Sequence, residues 1–269
     1  MDKKDKITVP LLIKMKEKGE KIVCLTAYEW ITASLLDEAG VELILVGDSG
    51  AMVFAGHENT LPITMDQMIY HTQSVSRGVK KALLITDMPF LSFQISPEEA
   101  VRNAGRFLKE GGAEGVKLEG GAPVAEAIRR LVDIGIPVMG HLGLTPQSIS
   151  AFGGYRLRGK ETDEAERLKQ DAKILEEAGA FSIVLEKIPA ALSKEITQSI
   201  SIPTIGIGAG PHCDGQILVT HDMLGLFEAF KPKFVRRYAE LAKTIKSSVG
   251  DYVRDVKDGS YPSCKESYS

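Results

Sequence analysis

Short apolar runs alternate with helix-like segments along this chain, and several of the runs end on an acid or a histidine. ELILVG is followed by Asp48, ALLIT by Asp87 and FSIVL by Glu186, while GVKL leads to Glu119 and IPVMG to His141. Runs of this length, rich in Val and Ile, are typical of parallel strands that are buried on both faces. Strand and helix alternate about eight times without a composition break, which predicts one (β/α)8 barrel rather than an open doubly wound sheet.

The pattern also predicts where the elements begin and end. A helix is expected from Tyr28 to Ala39, another after Thr64, and a loop from Ser49 to about Pro62. The start at Ser96 is the clearest, because a Ser cap, a Pro in the first turn and a Glu three residues after the cap occur together. The predicted strands are KIVCLTA, VELILVG, ALLIT, GVKLE, IPVMGH, FSIVLE, IPTIGIG and QILVTHD.

A last amphipathic helix is predicted within KFVRRYAELAKTIKSSVGDYVRDV, which follows the eighth strand. Its apolar positions recur at helical spacing. This helix would cover either its own barrel or a neighbouring subunit. We expect residues 1–269 to form one barrel domain, with a polar and loosely ordered tail over residues 250–269. The apolar positions of the predicted C-terminal helix are Phe234, Tyr238, Leu241, Ala242 and Ile245.

The acids at the strand ends predict a metal site. The carboxyl ends of barrel strands share one rim, so these side chains should converge there. Like charges packed together are costly unless a cation or a proton neutralises them. Oxygen ligands suit a hard cation, and we expect Mg2+ bound by Asp48 and Asp87, with Glu119 as a direct or water-mediated ligand. The alternative is structural, because an Asp after a strand often caps a turn.

Three further side chains are candidates for chemistry at the same rim. Lys117 lies two residues before Glu119 and therefore faces the same side of its strand, where a cation needs an anion. That anion is either a substrate or one of the acids in a structural ion pair; neighbouring carboxylates argue against a Schiff base. Glu186 is either a general base or a helix cap or ion-pair partner. His141 either binds substrate or orders the long segment 149–162, which we interpret as a lid.

Composition narrows the class of protein. The chain has 269 residues, 43% hydrophobic, with mixed charges and a formal net charge of −3, so we expect neither a nucleic-acid partner nor a membrane surface. Its three cysteines have no metal or redox spacing and are expected to be reduced thiols. No signal peptide is recognisable, and no apolar stretch approaches the ~20 residues that cross a bilayer. We expect a cytoplasmic protein.

A set of motifs resembles the ketopantoate hydroxymethyltransferase (3-methyl-2-oxobutanoate hydroxymethyltransferase) family, over about residues 7–247. No single motif is specific, but their number and order are. The motifs are VGDS (46–49), GHENTLP (56–62), TDMPF (86–90), VKLEGG (116–121), GHLGLTPQS (140–148), FGGY (152–155), VLE (184–186), IGIGAG (205–210), DGQILV (214–219) and PKF (232–234).

The resemblance implies a TIM barrel of the phosphoenolpyruvate-mutase-like group with extra C-terminal helices, assembled as a homo-oligomer, commonly a decamer. It implies hydroxymethyl transfer from 5,10-methylenetetrahydrofolate to 3-methyl-2-oxobutanoate on the way to pantothenate. By motif, Asp48, Asp87 and Glu119 match the Mg2+ site, and Glu186 matches the proton acceptor. The positions that match contacts to the keto acid are Ser49, Asp87 and Lys117.

Two departures from the family pattern are visible. The family often has TAYD after the first strand, where this chain has Glu29, and often has Leu-Gly after GDS, where this chain has Gly50-Ala51. The second departure touches the loop over the keto acid.

The residues and the resemblance lead to one mechanistic hypothesis, in which Glu186 removes the C3 proton of the keto acid and Mg2+ stabilises the enolate. Two alternatives stay open at this level. One is another Mg2+-dependent lyase or mutase of the same superfamily that acts on a 2-oxo acid. The other is an inactive scaffold or metabolite-binding protein.

Overall fold

Eight parallel strands close into a barrel in which each strand pairs with its neighbours in chain order. The structure is a computed structural model, and it describes residues 6–268. The closed barrel predicted from the alternation of elements is confirmed. The strands are β1 Ile22–Thr26, β2 Leu43–Val46, β3 Leu83–Asp87, β4 Gly115–Glu119, β5 Val138–Gly143, β6 Ser182–Glu186, β7 Thr204–Ile207 and β8 Gly215–Leu218.

Helices follow most of the strands. The helix starts predicted near Thr64 and Ser96 are confirmed: the Thr64 side chain accepts from Gln67 N in a capping box, and Ser96 Oγ accepts from Glu99 N at 3.2 Å. The helices are α1 Val9–Lys18, α2 Trp30–Glu38, α3 Gly50–Val53, α4 Met65–Ser76, α5 Pro97–Arg106, α6 Ala125–Asp133, α7 Ile149–Phe152, α8 Thr162–Glu177, α9 Ala190–Ser199, α10 Thr220–Met223 and α11 Leu241–Asp258.

The barrel interior is filled by apolar side chains, most of them branched, as expected for this fold. Strands β1, β2, β3, β5, β6, β7 and β8 all contribute to one buried apolar cluster. Helix α1 joins this cluster through Leu12 and Met15. No helix was predicted here, although the i, i+3 spacing of these two residues and Gly19 after the last turn are helix signals. Gly19 has φ of 70° and its N–H bonds back to the helix.

Two predictions of local structure were wrong. The segment expected to be a loop after β2 begins with the short helix α3. The C-terminal helix starts at Leu241 rather than near Lys233, because the preceding backbone bonds to distant partners instead of forming helical turns. Tyr238 N donates to Met223 O at 2.8 Å, and Leu241 N donates to Leu224 O at 3.0 Å.

The chain divides into two compact units, one ending at Val219 and one beginning at Thr220. The first contains the barrel, and the second contains α10 and α11. Because α11 continues to Asp258, the first part of the tail expected over residues 250–269 is helical. No helix within residues 6–268 combines the length and the apolar character that crossing a bilayer needs.

Candidate active site

The carboxyl ends of β2 to β6 bring the predicted site residues to one end of the barrel. Asp48 follows β2, and Glu186 is the last residue of β6. Strand register places Asp87 opposite Lys117, and Glu119 opposite His141, across neighbouring strands. The acids, the lysine and the histidine are thus neighbours in the structure. Ser49, the remaining predicted site residue, contacts Tyr28 instead. The buried members of the set are Asp48, Asp87, Lys117, Glu119 and His141.

Asp48 and Asp87 are adjacent, since Asp48 N donates to Asp87 Oδ2 at 2.9 Å. Burial raises the pKa of both carboxyls, and repulsion from Asp87 and Glu119 raises the pKa of Asp48 further. Lys117 and hydrogen bonds to these carboxylates act in the opposite direction. One oxygen, Asp87 Oδ1, is buried without a hydrogen-bond partner of suitable geometry. The two ionised carboxylates therefore repel each other in a buried site, and a bound cation would reduce this repulsion.

Lys117 is the cation at the centre of this cluster. Its Nζ lies 3.1 Å from Asp87 Oδ1 and 3.0 Å from His141 Nδ1. Burial alone would lower the pKa of Lys117, but Asp87, Glu119 and Asp48 together raise it above its usual value. The amine is therefore an ammonium at neutral pH. A protonated amine has no free electron pair, so this charge state argues against Lys117 as a Schiff-base nucleophile.

Gln147 links two of the acids, and sequence reasoning missed it. Its backbone N–H donates to Glu119 Oε2 at 2.9 Å, and its side-chain Nε2 donates to Asp48 Oδ2 at 2.9 Å. The same Nε2 reaches Met88 O at 2.9 Å. The available signal was a Gln within the motif GHLGLTPQS, but nothing in the local sequence indicates that this segment returns to the ends of β2 and β3. Burial raises the pKa of Glu119, and Lys117 and this backbone N–H oppose the rise.

His141 lies between Lys117 and Glu186. While Nδ1 faces Lys117, Nε2 lies 3.2 Å from Glu186 Oε2. Burial lowers the pKa of His141, and the Lys117 charge lowers it further, so the ring is neutral at physiological pH. The Glu186 side chain retains 16% exposure, against 4% for that of Glu119. Glu186 is therefore the acid of this cluster with access to the barrel mouth.

Ser49 directly precedes helix α3 and lies beside the buried Tyr28. Its Oγ lies 2.8 Å from Tyr28 Oη, in a hydrogen bond in which either hydroxyl can donate. A Cβ at Gly50 would lie 2.9 Å from a carbon of the Tyr28 ring. Gly50, the first residue of the departure from the family pattern, therefore packs closely against the Tyr28 ring in this chain. The other departure is accommodated too: the Glu29 carboxylate caps α2 by accepting from Ile31 N and Thr32 N.

The segment 149–162 contains the short helix α7 and then runs irregularly to α8. Its backbone is tied to the residue after β6: Arg158 N donates to Lys187 O at 3.0 Å, and Lys187 Nζ donates to Tyr155 O. Lys187 itself has φ of 49°, a left-handed conformation that is uncommon for residues other than glycine. Tyr155 Oη donates to Met52 Sδ at 3.7 Å. These bonds connect the segment with helix α3 and with the residue after β6.

The donor set tests whether a divalent cation fits here. Within residues 6–268, no three acidic, histidine or cysteine side chains are arranged to hold one metal ion by themselves. Mg2+ does not require such a cage, because it typically takes one or two carboxylates and keeps water or substrate as its other ligands. The adjacent carboxylates of Asp48 and Asp87 fit that requirement, because among the described residues Asp87 Oδ1 has only the ion-pair contact to Lys117 and no hydrogen-bond partner of suitable geometry.

The chain has extensive similarity to known proteins. The family model described as "Ketopantoate hydroxymethyltransferase" matches residues 6–264. The 3-methyl-2-oxobutanoate hydroxymethyltransferase of Chlorobaculum parvum is 59% identical over 266 residues, which are 97% of this chain and 96% of that protein. That of Syntrophus aciditrophicus is 57% identical over 263 residues, covering 98% and 97% of the two chains.

Solved structures share the fold at low sequence identity. A 2,3-dimethylmalate lyase of the PEP mutase/isocitrate lyase superfamily has a TM-score of 0.60 at 16% identity, covering 97% of this chain and 91% of its own. A phosphonopyruvate hydrolase solved with oxalate and Mg++ has a TM-score of 0.61 at 14% identity, covering 96% and 92%. The barrel thus has the architecture of that superfamily. With matching sequence over almost its whole length, the chain belongs to the ketopantoate hydroxymethyltransferase family.

Proposed function

We propose that this protein transfers a hydroxymethyl group from 5,10-methylenetetrahydrofolate to 3-methyl-2-oxobutanoate, giving 2-dehydropantoate (ketopantoate) and tetrahydrofolate in pantothenate biosynthesis. Family membership over nearly the full chain supports the activity. The observation that carries the chemistry is one buried cluster in which an ammonium and two adjacent carboxylates lie beside a more accessible acid. Such a cluster suits proton removal next to a carbonyl whose negative charge must be stabilised.

Asp48 and Asp87 are the residues proposed to hold Mg2+, with Glu119 acting through a bound water. Glu119 suits the indirect role because its Oε2 already accepts the Gln147 N–H. When bound, Mg2+ supplies Lewis acidity toward the keto oxygen and carboxylate of the substrate. It would also lower the charge repulsion that raises the pKa of Asp48.

Lys117 and Ser49 are proposed to bind the anionic keto acid, together with Asp48 and Asp87 at the same rim. The ammonium of Lys117 is held by Asp87 and His141, so it provides a fixed positive charge without reorganisation during the reaction. The Ser49 hydroxyl, oriented by Tyr28, is available to donate to a substrate oxygen.

Glu186 is proposed as the base that removes the C3 proton of the keto acid. Its partial exposure at the end of β6 distinguishes it from the three more deeply buried acids. The electron pair left on C3 then forms the new bond to the methylene carbon of the folate, as one of the two bonds from that carbon to a folate nitrogen breaks. The oxygen of one water molecule displaces the second folate nitrogen and becomes the hydroxyl group of the product. The proton taken from C3 and one proton of this water end on the two nitrogens, which gives tetrahydrofolate.

Assembly as a homo-oligomer, commonly a decamer in this family, is part of the proposal, as is a cytoplasmic location. In the second unit, α11 carries several half-exposed apolar side chains, which favours burial against another surface. Sedimentation analysis measures the assembly directly. The cysteines of the described residues are unpaired, which suits a reducing compartment. The half-exposed apolar side chains of α11 named above are those of Ile245, Val249, Tyr252, Val253 and Val256.

A coupled assay with 3-methyl-2-oxobutanoate and methylenetetrahydrofolate tests the function. We expect ketopantoate formation that requires both substrates, stops with chelator and returns with Mg2+. Consumption of a 2-oxo acid without folate would indicate the lyase or mutase alternative. Keto-acid binding without turnover would indicate a binding protein instead.

A further inference from the structure

The imidazole of His141 is buried between two functional side chains, and both of its ring nitrogens face protein groups. Nδ1 lies 3.0 Å from Lys117 Nζ and 3.5 Å from Glu119 Oε1, and Nε2 lies 3.2 Å from Glu186 Oε2. Neither nitrogen is directed to open space, since the whole residue is only 3% exposed. A direct bond from this ring to substrate would require one of these contacts to break.

The neighbours of the ring determine which nitrogen carries its proton. An ammonium has only donors, so Lys117 Nζ must donate to Nδ1, and Nδ1 must be the unprotonated nitrogen of a neutral ring. The ring proton is then on Nε2, facing the carboxylate of Glu186. Lys117 thus makes His141 a hydrogen-bond donor toward Glu186.

The Nε2 donor has a physical reason to bond to Glu186. In this structure its N–H is not aligned with Glu186 Oε2, so Nε2 is a buried polar atom without a hydrogen-bond partner. A buried donor without an acceptor is unfavourable, because it has lost its hydrogen bonds to water. Within residues 6–268, His141 is also the one side chain at ion-pair distance from the Glu186 carboxylate. A small rotation of that carboxylate would satisfy both groups.

We propose that His141 is a positioning residue, which holds one oxygen of the Glu186 carboxylate through its Nε2 proton so that the other oxygen faces the substrate. The inference rests on the proposed function, in which Glu186 is the base. It differs from the expectation that His141 binds the keto acid, since here the ring acts on the substrate only through Glu186.

Two substitutions separate the two sides of the ring. In His141→Asn the amide occupies the position of Nδ1, so an acceptor for Lys117 remains and the donor to Glu186 is lost. In His141→Gln the amide reaches the position of Nε2, so a donor to Glu186 remains. Glu186→Gln in the same experiment serves as the reference for loss of the base.

The readout is exchange of the C3 hydrogen of 3-methyl-2-oxobutanoate for deuterium in D2O with Mg2+ and without folate. We expect His141→Asn to slow exchange and kcat by about 10- to 100-fold, by analogy with the loss seen when a hydrogen-bond partner that orients a metal ligand is removed. The KM for keto acid and the Kd for Mg2+ should stay near wild type, and His141→Gln should restore most of the exchange. A general structural defect would alter KM and metal binding as well.

Three results would overturn the inference. Wild-type exchange in His141→Asn, with exchange abolished in Glu186→Gln, removes His141 from this role and leaves the proposed base intact. Normal exchange in Glu186→Gln refutes the base itself, and with it this role of His141. If His141→Asn does not fold, His141→Gln decides instead. Exchange in His141→Gln that is as slow as in Glu186→Gln would also refute the positioning role of His141.

Discussion

Replacing Lys117 by methionine tests whether one buried cation holds the acidic cluster together. The substitution keeps a long apolar side chain in the barrel but removes the ammonium 3.1 Å from Asp87 Oδ1. Both side chains are 5% exposed, so water cannot replace the lost charge easily. The same ammonium also opposes the raised pKa of Asp48 and of Glu119.

The expected loss of stability is large at alkaline pH. Breaking a buried ion pair by removing one partner costs about 3–5 kcal/mol. For a chain of this size each kcal/mol shifts Tm by about 2–4 °C, so we expect Tm to fall by about 6–20 °C at pH 8 without metal. The matched control is Lys169→Met, because Lys169 pairs at the surface with Glu166 and Glu195. Exposed pairs contribute about 0–1 kcal/mol, so the control should lose little.

The pH dependence has a defined sign. Burial raises the pKa of Asp48, Asp87 and Glu119 in the folded state, and loss of Lys117 raises it further. An acid with a raised pKa in the folded state contributes stability below its unfolded pKa, and this contribution is lost as pH rises through the folded value. The deficit of Lys117→Met should therefore shrink as the pH is lowered, since bound protons replace the missing cation.

Calorimetry or circular dichroism at several pH values, with and without Mg2+, measures these effects. Saturating Mg2+ should recover part of the lost Tm in Lys117→Met, if Asp48 and Asp87 bind it as proposed. A change in Tm no larger than that of Lys169→Met at pH 8 would contradict the reasoning. So would a deficit that grows as the solution is acidified.

Two further substitutions test the loop contacts around the base. Gly143→Ala should lower the free energy of unfolding by about 3 kcal/mol or more and reduce activity, because the new Cβ would lie 2.2 Å from Glu186 O. The control Gly135→Ala has a similar φ of 88° and no atom within 4 Å of the new Cβ, so it should lose about 1–2 kcal/mol. Denaturant unfolding measures both, and equal losses would refute the clash. Lys187→Gly should relieve the strain of a left-handed backbone but remove the hydrogen bond from the Lys187 side chain to Tyr155 O. We expect faster trypsin cleavage within the segment 149–162 without a lower Tm. Unchanged cleavage would show that Lys187 does not anchor the segment.

Local signals were sufficient for most elements but not for all. The cap at Ser96 predicted the start of α5, because capping depends on residues within one turn. Helical spacing predicted a C-terminal helix but placed its start too early. The backbone at Tyr238 bonds to Met223, and a spacing argument cannot detect a partner at that distance.

Sequence patterns were sufficient to predict the barrel and the acids at its rim. Both predictions follow from short-range features: apolar runs of strand length, helical segments between them, and an acid or a histidine where several of the runs stop. Which groups contact each other became visible only in the folded structure. Lys117 contacts Asp87 and His141, and Gln147 returns to Asp48, because strand register and the path of a loop set these distances. Strand register and loop path depend on how distant segments of the chain pack together, which the spacing of residues within one segment does not show.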